Sequence, residues 1–194
     1  MNDFVFCCPT KFVFGRGYVN KIGKEAALQG WKRGMIFYGG GSVERTGTLD
    51  KVRMSLMKAG IEFVEFAGIR PNPEVNQVRK AIEVARKNKP DFLLPVGGGS
   101  TIDAAKATAY GVPYFGDVWD FHEGKAQIRN TLPIACVLTI PAAGSESSSS
   151  CVISNDKICI KKGTDSPLNR PKLAIMDPEL TFTLPQYQTA AGVT

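Results

Sequence analysis

Two identical four-residue turns constrain this chain more than any other feature. Gly39-Gly40-Gly41-Ser42 and Gly97-Gly98-Gly99-Ser100 each follow a short apolar run, residues 35–38 and 92–96. A helical pattern follows each turn. Residues 48–59 place Leu49, Val52, Leu56 and Met57 on one face and stop at Gly60, and Ser100 opens a second helix that runs to about residue 109. Strands that read as continuous apolar runs are buried on both faces, as in a parallel sheet covered by helices. In such folds ligands bind beyond the carboxyl ends of the strands, where both turns sit.

The rest of the chain keeps the alternation. Residues 61–66 and 134–140 read as further strands. Asn72 is suited to cap a helix with Pro73 at its first position, the helix running to about residue 88. Residues 4–6 and 11–15 read as extended, and residues 151–154 and 157–161 as a hairpin. The expectation is an α/β, Rossmann-like parallel sheet with helices on both faces, plus N-terminal extended strands.

Composition narrows the function classes. At 194 residues one domain is the default, and no apolar run reaches the roughly 18 residues of a membrane span. The N-terminus lacks the basic start and apolar stretch of a secretory signal, so a cytoplasmic protein is expected. The net charge is +6, but the basic residues are dispersed. Their densest cluster, residues 79–89, is one polar helix face without interleaved aromatics, which argues against a nucleic-acid partner. A polyphosphate ligand accounts for the excess as well. The five cysteines contain no C-x-x-C pair and read as buried free thiols, not as a disulfide framework or zinc site. The single histidine, His122, reads as a loop residue, with contact to substrate or cofactor as the alternative.

The segment from Gly97 to Lys106 carries the physics of a pyrophosphate site. Glycines let the backbone approach an anion closely, and the helix that follows offers free N–H groups and a positive dipole end. A tight turn that binds nothing is the competing reading. Asp103 stands at capping-box spacing from Ser100; that spacing favours a cap over a role beside a nicotinamide. At the first turn no acid precedes Glu44, while Ser42 and Arg45 are at hand. An acid there would hold ribose hydroxyls and repel a 2′-phosphate, so its absence suits NADP(H). The segment Leu138 to Ser148 offers hydroxyls and small residues after a strand, but no nucleophile elbow.

Six motifs in order make the resemblance specific: residues 9–17, Tyr38 to Ser42, Ile69 to Pro73, Gly97 to Lys106, Leu138 to Ser147 and Ala174 to Leu180. The chain resembles the iron-containing alcohol dehydrogenases, in particular the NADPH-dependent butanol dehydrogenases and aldehyde reductases. The resemblance implies that Gly40, Gly41 and Ser42 hold the adenosine 2′-phosphate. It implies that Asn72, Gly98, Gly99 and Ser100 hold the pyrophosphate and nearby ribose. Asp103 would lie near the nicotinamide as the catalytic-site residue, Thr139 would meet the adenosine side, and Lys161 would bind a ribose or phosphate oxygen. Ser148 and Ser150 replace an Asn of some relatives, and Ala143 a Thr.

The resemblance also implies a domain division. Residues 1–184 would form the dinucleotide-binding domain, and residues 185–194 the start of a helical metal-binding domain that is otherwise absent. The family's ligands for iron or zinc are one Asp and three His, and none matches a residue of this chain. The expected parent activity is hydride transfer between NADP(H) and a primary alcohol or aldehyde, in a homodimer, with this chain inactive alone. A non-catalytic nucleotide-binding module, a dehydroquinate-synthase-like enzyme and a phosphosugar-binding protein are the alternatives.

Overall fold

The computed structural model describes residues 7–193. Its centre is a six-stranded sheet built from β1 (Lys11–Phe14), β2 (Arg33–Tyr38), β3 (Glu62–Phe66), β4 (Phe92–Gly97), β5 (Ala135–Leu138) and β8 (Leu173–Met176). The strands lie in the order β1-β8-β5-β4-β2-β3, and every pairing is parallel. A separate antiparallel hairpin, β6 (Ser150–Asn155) and β7 (Ile160–Asp165), is inserted before β8. The helices are α1 (Ile22–Leu28), α2 (Ser42–Arg45), α3 (Thr48–Lys58), α4 (Val75–Asn88), α5 (Gly99–Gly111), α6 (Trp119–Glu123) and α7 (Gln186–Val193).

Alternation along the strands divides the core between the two faces. Ile36, Leu94, Val137 and Ile175 point to one side, against Ile22 of α1 and Leu49, Val52 and Leu56 of α3. Met35, Phe37 and Leu93 point to the other, against Ala81 and Ala85 of α4 and Ala104, Ala105 and Ala109 of α5. The alanine run of α5 lets that helix sit close to the sheet while α4 and β6 cover its other sides. A similar economy of side chains joins α1 to α3, since a Cβ on Gly23 would stand only 2.0 Å from the Ser55 carbonyl oxygen.

The strand order fixes where a ligand can enter. From β2 the chain moves outward to β3, then returns to β4 on the other side of β2. The crevice between the carboxyl ends of β2 and β4 is therefore the topological switch point. Tyr38 is in register with Val96, so the two glycine turns emerge side by side at that crevice.

Several expectations need correction. Asn72 does not cap α4: it has φ 54°, and the cap is Glu74 in extended conformation. Pro73 leads into Glu74 and so lies before the helix. The thiols divide: Cys136 and Cys151 are buried, but Cys7 and Cys159 are exposed, Cys159 in the turn between β6 and β7. Residues 11–14 form β1, the outer strand of the sheet, paired on one side with β8. The extended segment expected at residues 4–6 lies outside the described residues. No helix among the described residues is long and apolar enough to cross a membrane.

Candidate functional site

At the end of β2, Gly41 takes φ 91°, a left-handed conformation that favours glycine, and Ser42 begins α2. Gly40 is exposed, and a Cβ built there meets nothing within 4 Å. Over Gly41 the Arg45 guanidinium and Glu44 carboxylate stand 3.4 and 3.5 Å from where a Cβ would be. The turn thus carries one charge of each sign. Glu65, on β3, is already committed: Arg53 Nε donates to it at 2.7 Å and Tyr38 Oη at 2.9 Å. Arg53 and Tyr38 together hold its carboxyl below the usual carboxylate range, against the upward push of burial.

At the end of β4, Gly98 is the extended N-cap of α5. A side chain there would press on Ile140 at 3.4 Å, and one on Gly99 would press on Ala143 at 3.3 Å. A Cβ on Gly97 would come within 2.6 Å of Thr101 Oγ1. No side chain caps α5, and its first backbone N–H groups, which lack intrahelical partners, lie at the carboxyl end of β4, a setting in which anions bind. Thr139 lies at the same edge, its backbone N–H bonded to the Gly97 carbonyl at 3.1 Å.

The hairpin completes the cleft. Ser154 N donates to the Pro73 carbonyl at 2.8 Å, which docks β6 on the turn that carries Asn72. Lys161 Nζ, on β7, then donates to Asn72 Oδ1 at 2.6 Å, and Asn72 N donates to Ser100 Oγ at 3.3 Å. Asn72, Gly99, Ser100, Asp103, Val152 and Lys161 line a cleft of about 330 Å³. The sequence singles out five of these six as site residues; Val152 reads there only as part of a strand.

Asp103 is not a cap. The helix begins at Gly99, one residue before Ser100, and no side chain caps it. Asp103 Oδ1 instead accepts from Ser145 Oγ at 2.7 Å and Oδ2 from Val152 N at 3.1 Å. Burial raises its pKa, an effect opposed by the Ser145 hydroxyl, the Lys106 charge and the Val152 amide. Ser148 and Ser150 are tied to α5 through their backbone carbonyls. Ser148 Oγ accepts from Ser150 N at 3.0 Å, and both residues give their carbonyls to Lys106.

His122 belongs to the core. It lies in α6, 1% exposed, with Nε2 2.8 Å from Tyr110 Oη and Nδ1 2.9 Å from the Lys162 carbonyl. Burial lowers its pKa to about 4, so the imidazole is neutral. Among the described residues no group of three or more His, Cys, Asp or Glu side chains stands together as metal ligands would. A larger hollow of about 630 Å³, lined by Trp31, Arg33, Glu62 and Asp91 among others, lies at the opposite, amino ends of the strands. Helices α1, α3 and α4 end beside it and turn their carbonyl ends toward it, and its charged lining mixes Lys32, Arg33 and Lys89 with Glu62 and Asp91.

Comparison with known proteins gives a consistent picture. The family model for the iron-containing alcohol dehydrogenases matches residues 9–178. The chain is 44% identical over 192 residues to NADH-dependent butanol dehydrogenase A of Clostridium acetobutylicum, covering 99% of this chain and 49% of that protein. It is 40% identical over 196 residues to the NADPH-dependent aldehyde reductase YqhD of Escherichia coli, covering 100% and 50%. Among solved structures, NADH-dependent butanol dehydrogenase A of Thermotoga maritima superposes with a TM-score of 0.97 at 49% identity, covering 99% of this chain and 48% of that one. The chain therefore spans about half the length of the curated relatives it matches.

Proposed function

The chain belongs to the iron-containing alcohol dehydrogenase family, and from that membership we propose that it is the NADP(H)-binding part of an enzyme that interconverts primary alcohols and aldehydes. The observation that carries this reading is the convergence of Asn72, Ser100, Asp103 and Lys161 on one cleft beside the switch point. These four side chains come from a turn, from one helix and from an inserted hairpin. A structural turn would have no need of a lysine delivered from so far along the chain.

Within that reading each group has a task. The bare amides at Gly98 and Gly99 and the start of α5 receive the pyrophosphate. Lys161 and Asn72 hold a phosphate or ribose oxygen. Gly40, Gly41, Ser42 and Arg45 receive the 2′-phosphate, and Thr139 lies toward the adenosine. Asp103 faces the nicotinamide end. When bound, the nicotinamide supplies the hydride chemistry and a divalent metal polarises the substrate oxygen. This chain's residues bind and orient the dinucleotide. Residues 1–184 serve as the cofactor domain, and α7 (Gln186–Val193) begins a second domain in the same reading.

The relatives' names divide between NADH and NADPH. We favour NADP(H) because Gly40 is exposed with open space above it, Arg45 flanks the turn, and Glu65 is neutralised by Arg53. Glu44 weakens the preference and sets its size. Calorimetric titration should give an NADPH affinity at least about tenfold above that for NADH, a difference of about 1.4 kcal/mol. Equal affinities would remove the NADP(H) assignment while leaving the dinucleotide cleft; absence of binding by either would remove both.

The outer strand β1, with Phe12 and Phe14 46% and 67% exposed, supports a homodimer formed at this edge. Light scattering on a Phe12→Glu, Phe14→Glu variant should give half the mass of the unmodified protein; an unchanged mass would place any dimer contact elsewhere.

A further inference from the structure

Lys106, on α5 behind the cleft wall, is fully buried, at 0% exposure. Its ammonium donates to Ser145 Oγ at 3.0 Å, the Ser148 carbonyl at 2.9 Å and the Ser150 carbonyl at 2.8 Å. An ammonium has three N–H donors and no lone pair, so these three bonds exhaust it. Its bond to Ser145 fixes the direction of the next one. Ser145 Oγ must accept from Lys106, and its single O–H is then free to point only at Asp103 Oδ1. With Val152 N donating to Oδ2, both carboxylate oxygens of Asp103 are held as acceptors.

We propose that Lys106, acting through Ser145, is a positioning residue that holds Asp103 as an oriented negative charge at the nicotinamide end of the cleft, favouring the oxidised dinucleotide, whose nicotinamide ring is cationic, over the reduced one, whose ring is neutral. The proposal rests on the dinucleotide reading given above. It gives a task to three features that the cofactor contacts leave unexplained: a buried lysine, a buried serine and the order of donors between them.

The charged and titratable groups facing Asp103 come from every element around it. Lys106 and Tyr110 lie on α5, Cys151 on β6 and Lys161 on β7. Burial keeps the Tyr110 hydroxyl and the Cys151 thiol in their neutral forms. It also lowers the Lys106 pKa, an effect opposed by Asp103, and the three acceptors around Nζ are those an ammonium needs, so the two lysines supply the favourable charge. Lys161 stands in the cleft, where a bound phosphate or ribose oxygen competes for it. Lys106 is committed to the protein alone, and its influence persists when ligand is present.

The test compares the unmodified chain with Ser145→Ala, Ser145→Thr and Lys106→Met. Ser145→Ala removes the relay and leaves the two carbonyl bonds of Lys106 in place, so it should fold even where Lys106→Met does not. Calorimetry with NADP⁺ and NADPH at neutral pH should show Ser145→Ala losing about threefold or more in NADP⁺ affinity with NADPH affinity unchanged, and Ser145→Thr restoring it. In the chain without nucleotide, the Asp103 carboxyl followed by ¹³C NMR should titrate at higher pH in Ser145→Ala than in the unmodified protein. Equal losses for the two nucleotides, or an unmoved Asp103 titration, would reduce Lys106 and Ser145 to scaffold and overturn the proposal. If the unmodified chain bound neither nucleotide, the cofactor reading would fall, and the NMR titration would still decide whether the relay controls Asp103.

Discussion

Lys161 and Asn72 are 89 residues apart in sequence, yet the lysine ammonium donates to the asparagine carbonyl oxygen at 2.6 Å. The contact exists because the β6–β7 hairpin docks on the Asn72 turn through the Ser154–Pro73 backbone bond. Asn72 accepts it from a left-handed backbone conformation, which asparagine tolerates better than most residues.

Replacing Lys161 by Ala should therefore affect binding and leave the fold alone. The side chain is exposed, and its bond to Asn72 is to another exposed group. A charge-assisted hydrogen bond to a phosphate oxygen contributes about 1.5–3 kcal/mol, or roughly ten- to a hundredfold in NADPH affinity. Thermal melts of the free protein should stay within about 2 °C of the unmodified chain. Unchanged NADPH affinity in the variant would take Lys161 out of the site.

The glycines divide into those that serve packing and those that serve ligand. At Gly23, alanine would force α1 and α3 apart, because its Cβ would collide with the Ser55 carbonyl. Overpacking of this kind costs about 1–3 kcal/mol or more, visible as a lower urea midpoint. At Gly40, aspartate meets open space and should leave the midpoint where it was, yet its charge beside a 2′-phosphate should reverse any preference for NADPH over NADH. Stability loss at Gly40 without a change of nucleotide preference would contradict this division.

His122 gives a pH dependence whose sign is fixed by its burial. Its folded pKa is about 4 against 6.5 for the free side chain. Between these values the unfolded chain binds a proton that the folded chain refuses. The neutral imidazole's contribution is thus complete above pH 6.5 and is lost as pH falls toward 4. The full span is on the order of 3 kcal/mol. Because the chain has one histidine, its ring signal by NMR should remain that of a neutral imidazole at pH 5.5. In urea melts between pH 7.5 and 4.5, His122→Gln should lose less stability than the unmodified protein. A ring that titrates near 6.5 would show His122 to be exposed.

Both glycine turns, their strands and the hairpin are legible in the sequence because each rests on local chemistry: short apolar or extended runs bounded by glycines and polar turns. What is not legible depends on geometry that local pattern does not encode. Asp103 reads as a cap at its spacing from Ser100, but α5 starts one residue earlier and turns the carboxylate toward Ser145. Asn72 reads as a cap before Pro73, but the chain needs an extra extended residue, Glu74, to pair with Ser154. β8 is only four residues long and owes its place to the neighbours β1 and β5. His122 reads as a loop residue because a five-residue helix has little periodicity to show. The importance of Lys106 is hidden for a similar reason: its partners lie about forty residues on, in a serine run with no regular pattern.

The 194-residue polypeptide should show no metal-dependent reduction of butanal by NADPH. Metal-ion affinity needs several preorganised donors of suitable type, and His122 is committed to Tyr110 and Lys162. The assay follows NADPH absorbance with Fe²⁺ or Zn²⁺ added. Turnover that persists after removal of host enzymes would show a metal site in this chain. Adding a separately expressed C-terminal half from a relative should restore activity.

The most direct test of the central claim is where NADPH perturbs the backbone amides of the assigned protein by NMR. NADPH bound at the switch point should concentrate the shifts at residues 39–42, 72, 97–103, 139 and 161, at the carboxyl ends of the strands. Shifts concentrated instead at residues 30–33, 59–62 and 89–91, around the larger hollow at the opposite end, would contradict it, as would the absence of any saturable shift.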